Sequence, residues 1–378
     1  MIRVAVIGGG IAGASVAYEL AERAEVVVLE AEQVCGYHTT GRSAALYTEC
    51  YGDRIVRSLA GSGRGFLEDP PPGFTDSPLV APMAMMLVGT ADQAKRLVGD
   101  FDEYRETVPS LRMLDTAEAT ALCSVLDPAV IDGAIFEPHA RSIDVHALHL
   151  AYQQGARHRG AKIRTSTPVT ALENSDGWTI RTGDDTVHAD VVVNASGAWC
   201  DKVGAMAGAA PIGLRALRRT AFIARAPAGT EPHGWPMVLD VGEQFYFRPE
   251  GGDRILVSPA DETAMEPCDV RHEELDVAVG TERIEAVTTM RIRSVESAWA
   301  GLRSFVSDRR PVNGWDPSIP NFYWLAGQGG SGIKTSPGMS RFAASMILDG
   351  APPGDLVDVG VDEQDLAVAR LDSGAAVH

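Results

Sequence analysis

The stretch from Arg3 to Glu30 constrains this 378-residue chain more than any other. Val4, Ala5, Val6 and Ile7 form a short apolar run, the pattern of a strand buried on both faces. Gly8-Gly9-Gly10-Ile11-Ala12-Gly13 follows at once as G-x-G-x-x-G, and Ala12 to Ala24 reads as a helix. Glu25 to Leu29 is a second apolar strand, ending in the acidic Glu30. Gly8 allows a tight turn, Gly10 lets a pyrophosphate approach the backbone, and Gly13 lets helix and strand pack closely. The helix start offers unpaired N–H groups and a partial positive charge to phosphate. Glu30 stands near the offset at which a carboxylate meets an adenosine ribose, which favours NAD or FAD over NADP. A glycine pattern alone is weak. With a strand before it, a helix after it and an acidic strand end, a dinucleotide site is the expectation. A signal peptide fits poorly, because the basic n-region is one arginine, glycines interrupt the apolar run and Glu19 arrives early.

The formal net charge of −18 disfavours nucleic acid and anionic membranes as partners, since the summed field repels polyanions. A few local arginines can still take an anionic small molecule. Apolar content is 45% and charged content 22%, close to globular averages, and the length suggests two domains. No apolar run is long enough for a membrane span. The five cysteines are odd in number, widely spaced and without a CxxC, which reads as reduced thiols in a cytoplasmic protein. The nine histidines form no HxxxH or HExxH, so no metal is expected.

Beyond Glu30, residues 33–51 read as a loop of small and hydroxylated residues carrying Arg42, Ser43 and Ala44, where backbone can approach a ligand. Val80 to Val88 reads as one strand. Ala91 to Tyr104 with Thr90 as cap, Thr116 to Cys123, and Asp144 to His158 with Asp144 as cap read as helices. Val191 to Trp199 is a second buried strand ending in small residues, Ala195 and Gly197 among them. After Pro211 the pattern is β-rich, with Ser297 to Leu302 preceding a strand. Phe322 to Ala326 is a strand, Gly327 to Gly332 a glycine loop, and Ser336 with Pro337 opens a helix to Leu348. A small-residue tail follows Asp372. If both glycine loops touch one cofactor, the nucleotide domain is built from separated segments, with the substrate domain inserted between them.

The pieces VIGGGIAGAS, GYHTTGRSAALYTECYG, VVVNASGAWCD, LRRTAFI, WAGLRSF and LAGQGGSGIKTS together resemble the D-amino-acid oxidase/dehydrogenase superfamily of FAD enzymes, and within it the D-arginine dehydrogenase branch. The resemblance implies an α/β fold. A Rossmann-like FAD-binding domain would comprise residues 1–80, 142–210 and 304–370. An α+β substrate domain with an antiparallel sheet would comprise 81–141 and 211–303. It implies FAD held by Gly8, Gly10, Ile11, Ala12, Gly13, Glu30, Arg42, Ser43, Ala44, Val169, Ala195, Gly197, Gly330, Gly332, Ile333, Lys334 and Thr335. Arg219 and Arg303 match arginines near a substrate carboxylate, Tyr51 and Tyr246 match tyrosines that help hold it, and Thr48 matches a polar active-site position. Neighbouring Arg218 competes with Arg219 for its role. His38 matches a covalent flavin link in some relatives, but a plain loop histidine is the preferred reading.

The implied reaction is hydride transfer from the substrate Cα to flavin N5, giving an imino acid that hydrolyses to a 2-oxo acid and ammonia. The electron acceptor is a quinone or O2, and the chain is a monomer or homodimer. The branch has a histidine where this chain has Leu46, a glutamate where it has Met85 and a glutamine where it has Lys334. Without that glutamate a cationic side chain loses a charge-assisted partner worth about 1.5–3 kcal/mol. A pocket of Leu46, Met85 and Gly330 therefore predicts a neutral or hydrophobic D-amino acid over D-arginine. The alternatives are an FAD enzyme for glycine, an N-methyl amine or a 2-hydroxy acid, and a flavin-binding regulatory subunit.

Overall fold

A computed structural model describes residues 1–183 and 185–372, so the tail after Asp372 lies outside the described residues. Its first strand, Arg3–Ile7, is buried from Val4 onward, as its unbroken apolar run requires. It sits inside a six-stranded sheet ordered Val312–Trp315, Phe322–Ala326, Val191–Asn194, Arg3–Ile7, Glu25–Leu29, Lys162–Arg164. All neighbours run parallel except the edge pair Val312–Trp315 and Phe322–Ala326. One face, with Val4, Val6, Val26, Val193 and Leu325, packs under the helices Ile11–Leu20, Val145–His158 and Gly332–Leu348. The other face, with Ala5, Val192, Phe322 and Trp324, packs on a three-stranded antiparallel meander through Leu172, Trp178 and Ile180.

A second, nine-stranded sheet is mostly antiparallel. Arg215–Arg225 lies between Val295–Phe305 and Arg254–Ser258, and the order continues through Tyr246–Pro249, Met237–Asp240, Met85–Thr90 and Ile131–Glu137 to Arg112–Asp115. Met237–Asp240 and Met85–Thr90 form its parallel exception. Period-two alternation splits its faces. Phe222, Ala224, Phe247 and Val238 join Ile284 of the helix Glu274–Val287 on one side. Ala221, Ile223, Tyr246, Met237 and Met85 face the other way. This is the expected fold class, a parallel nucleotide-type sheet assembled from distant segments together with a largely antiparallel one.

Local signals explain most element ends. Asp144 accepts from Ala147 N at 2.8 Å, and Thr90 forms a capping box with Gln93. Three readings need correction. Val80 to Val88 is two strands, Val80–Pro82 and Met85–Thr90, lying in different sheets, because Pro82 cannot donate to a ladder where the chain crosses over. Ser297 to Leu302 does not precede a strand but forms the middle of Val295–Phe305, paired along Arg215–Arg225. Pro337 does not open the last helix. That helix starts at Gly332 and carries Pro337 inside it. The missing N–H leaves Ile333 O free, and the Ser336 hydroxyl donates to it at 2.9 Å.

Two glycines give opposite expectations. A Cβ at Gly13 would lie 1.9 Å from Gly8 O, a backbone atom that no rotamer change removes. Gly13→Ala should cost about 1–3 kcal/mol or more in denaturant unfolding. Gly99 is exposed within the helix Ala94–Tyr104 with nothing near its Cβ, so Gly99→Ala should stabilise by about 0.5–1 kcal/mol in the same assay.

Candidate active site

Residues from both sheets line two adjoining cavities, holding about 950 and 700 Å³ of empty space counting their open mouths. Gly10, Ile11 and Ala12, then Arg42, Ser43 and Ala44, then Ala195 and Gly197, and finally Gly330, Gly332 and Ile333 all line the larger one. The two glycine loops, distant in sequence, therefore meet at one space.

The backbone there is short of acceptors. Gly10 caps the first helix without a side chain, and Ile11 N donates to Thr40 Oγ1 at 3.0 Å. The N–H groups of Ala12 and Gly13 find no acceptor among the described residues, nor do those of Gly332, Ile333 and Lys334 at the start of the last helix. Gln328 Nε2, on the same cavity, is buried without a partner. Two bare helix starts facing a long cavity lined with small residues suit a dinucleotide with an anionic pyrophosphate and a second electron-rich group. The residues present fit FAD.

Gly8, Gly13, Glu30, Val169 and Thr335 stand outside the cavity lining. Gly8 and Gly13 make the close helix–strand contact. Glu30 accepts from Gly9 N at 2.7 Å and Glu32 N at 2.9 Å, so it braces the glycine loop. Val169 packs against the apolar core under the meander, and Thr335 Oγ1 donates to Ser331 O at 3.0 Å. His38 also lies off the lining, bonded to Glu32 at 2.9 Å and packed on Trp199. The Arg42 charge is matched by Asp269 at 2.5 Å and by the carbonyls of Val270 and Ala300. Together with Thr39 Oγ1 donating to Leu302 O at 2.6 Å, Arg42 ties the loop to the second sheet.

The smaller cavity collects Thr48, Tyr51, Tyr246, Arg219 and Arg303, with Leu46, Met85 and Gly330. Leu217 pairs with Arg303 and Arg219 with Gly301, so Arg219 and Arg303 are diagonal neighbours on one face. Arg303 makes no hydrogen bond or ion pair with any described residue, and its guanidinium lies against Gly330, where a Cβ would come within 2.8 Å of Nη1. Arg219 is buried, donates to Glu262 at 3.0 Å and leaves its Nε without a partner. Burial, then the like charge of Arg303, pushes its pKa down. Glu262 is shared with Arg309, which holds it at 2.7 and 3.0 Å. Arg218 points to the opposite face, into Glu273, Asp276 and Asp261. Arg219 is thus the one that lines the cavity.

Several residues escaped the sequence reading. Met237, Leu239 and Phe245 extend the apolar wall, and Glu243 accepts from Tyr51 OH at 3.3 Å. Lys334, by contrast, was among the residues expected to hold FAD; it lines the smaller cavity and is buried, its Nζ donating to Thr48 O at 3.0 Å and Tyr51 O at 2.8 Å, and burial pushes its pKa down to about 8. Glu137, also buried, accepts from Thr48 Oγ1 at 2.5 Å and Glu49 N at 3.1 Å. A carboxylate ending the apolar strand Ile131–Glu137 was the available signal.

Residues 3–346 match the family described as FAD dependent oxidoreductase, DAO. Dimethylglycine dehydrogenase of Rattus norvegicus is 24% identical over 94% of this chain, and sarcosine dehydrogenase of Homo sapiens 25% over 93%. The chain spans less than half of each, 44% and 40% of their lengths. The crystal structure of glycine oxidase from Geobacillus kaustophilus superposes with a TM-score of 0.82 at 22% identity, covering 98% of this chain and 99% of that one, which shows a common fold. These names point to glycine, sarcosine and dimethylglycine, so the wider superfamily is supported but not its D-arginine dehydrogenase branch in particular.

Two adjacent arginines should separate by assay. Arg218→Met strips a buried cation from Asp276 and Asp261 and should cost about 3 kcal/mol of stability in thermal or denaturant unfolding. Arg219→Met should change stability little, because Glu262, its ion-pair partner, stays paired with Arg309.

Proposed function

Because the chain belongs to the DAO family of FAD-dependent oxidoreductases, we propose that it oxidises the Cα–N bond of a small D-amino acid with a neutral or apolar side chain. The observation that carries this reading is the pair of diagonal guanidiniums, one without a partner and one half-paired, at the place where both cavities meet. A carboxylate suits two such forks, which donate in fixed planar geometry. Tyr246 stands beside them with a hydroxyl able to donate to the same carboxylate, and Tyr51 could do so by leaving Glu243. Bound FAD supplies the two-electron acceptor for the hydride that leaves Cα. The protein's part is to fix the carboxylate, present Cα–H to the larger cavity and bury the side chain. The start of the last helix, with its bare N–H groups, favours negative charge at the cavity junction. The imino acid released would hydrolyse in water to a 2-oxo acid and ammonia.

Leu46, Met85, Met237, Leu239 and Phe245 give the smaller cavity an apolar wall that glycine would leave unused. Each CH₂ buried against it contributes about 0.8 kcal/mol. A second reading, an N-substituted glycine as substrate, is favoured by the names of the dimethylglycine and sarcosine dehydrogenases.

Anaerobic mixing of the yellow protein with D-Leu, D-Met, glycine and sarcosine tests both. The expected order is bleaching by D-Leu and D-Met at KM values at least tenfold below that of glycine. Bleaching by sarcosine alone would establish the second reading, and bleaching by no amine would overturn both. Arg303→Ala should lower kcat/KM roughly 10- to 100-fold while the flavin spectrum and content persist. Unchanged turnover would remove Arg303 as the carboxylate anchor.

A further inference from the structure

An amino acid arrives at neutral pH as an ammonium, and an ammonium has no lone pair to form C=N as the hydride leaves. Something must take one proton first. Most polar side chains on the smaller cavity are already committed. Arg219 and Arg303 are cations. Lys334 spends its donors on Thr48 O and Tyr51 O. Asp240 accepts from Gln93 Nε2 and from Gln244 N, each at 3.0 Å, whereas Glu243, exposed and accepting only from Tyr51 OH at 3.3 Å, is the rival acceptor that an unchanged Glu137→Gln profile would leave in place. Thr48 differs. It is a lining residue whose hydroxyl accepts from Cys50 N at 3.0 Å and donates to Glu137 at 2.5 Å, which leaves one acceptor lone pair unused.

We propose that Thr48 and Glu137 form the route by which the substrate ammonium loses its proton, a step that rests on the amine-oxidation reading above. An N–H bond of the ammonium breaks as an O–H bond forms on Thr48. The original Thr48 O–H breaks as an O–H bond forms on Glu137 Oε2. The products are a neutral amine, an unchanged threonine and a protonated Glu137. The nitrogen lone pair then forms C=N as the Cα–H electron pair departs to FAD, and the iminium is released. With the cavity open to water, Glu137 returns its proton through Thr48.

The surroundings of Glu137 suit an acceptor that must both take and return a proton. Burial lifts it above the usual carboxylate range, whereas the hydrogen bonds from Thr48, Glu49 N and the Cys50 thiol and the charge of Lys334 on the last helix pull it back. Met85, opposite it across the strand pair, adds no charge. The charge of Lys334 favours the ionised form of Glu137 against its burial, and its hydrogen bonds to Thr48 O and Tyr51 O hold the threonine in place.

The test is the pH profile of anaerobic flavin reduction in the FAD-loaded enzyme with whichever amine bleaches the native protein. Glu137→Gln should slow reduction about 100-fold or more near neutrality, the usual size of a lost proton acceptor. The deficit should then shrink toward native as pH rises above the pKa of the substrate ammonium, because the free amine needs no acceptor. Thr48→Val should behave alike, and Thr48→Ser should restore the native profile. A Glu137→Gln deficit equal at every pH would mean a structural role, and a Thr48→Val profile matching native would overturn the relay. Should Glu137→Gln fail to fold, the Thr48→Val and Thr48→Ser pair decides alone. If no amine bleaches the native protein, the reading and the relay fall together. If amines bleach it but these profiles run parallel, only the relay falls.

Discussion

The first helix rests on the first strand at backbone distance, and the rest of the site is hung from that contact. Only hydrogen at position 13 allows it, since any side chain would meet the Gly8 carbonyl. With the helix held so low, its first turn opens directly on the larger cavity. Gly9 N is taken by Glu30 and Ile11 N by Thr40, which leaves the N–H of Ala12, on the cavity wall, to whatever enters. The long helix Gly332–Leu348 packs against this same helix within one apolar core. One tight contact therefore sets where both helix starts lie.

Electrostatics at the site run against the chain as a whole. The protein is acidic overall, yet two guanidiniums share one sheet face with a single carboxylate, Glu262, that also serves Arg309. Such crowding persists only where the surrounding fold enforces it, and β-sheet register does so here, placing Arg219 and Arg303 on the same side of adjacent strands. On the far side of the same strand, Arg218 is wrapped by acids. Sequence neighbours one residue apart thus serve separate ends, one the cavity and the other the packing of the helix Glu274–Val287.

Local and periodic features were legible in the sequence. The glycine turn, the buried strands Arg3–Ile7, Val191–Asn194 and Phe322–Ala326, and the capped helices all rest on interactions between near neighbours. Alternation around Tyr246 was legible too, with Phe247 on the opposite face. What stayed hidden depends on long-range pairing. Glu137 reaches Thr48 across 89 positions and Lys334 reaches it across 286, and no window of sequence brings those groups together. Pro337 misled because proline favours a first turn, and its tolerance here depends on a hydroxyl from the preceding residue. The break at Pro82 was visible as a residue but not as a change of sheet.

The apolar wall comes from Met85–Thr90 and Met237–Asp240, two strands that run in parallel in the second sheet and belong to no part of the bare-amide cradle. A change of shape in those strands alters which side chain can be accommodated without disturbing the turn that grips the nucleotide. Substitution in those two strands can therefore reshape the pocket while the layer that carries the glycine turns stays as it is.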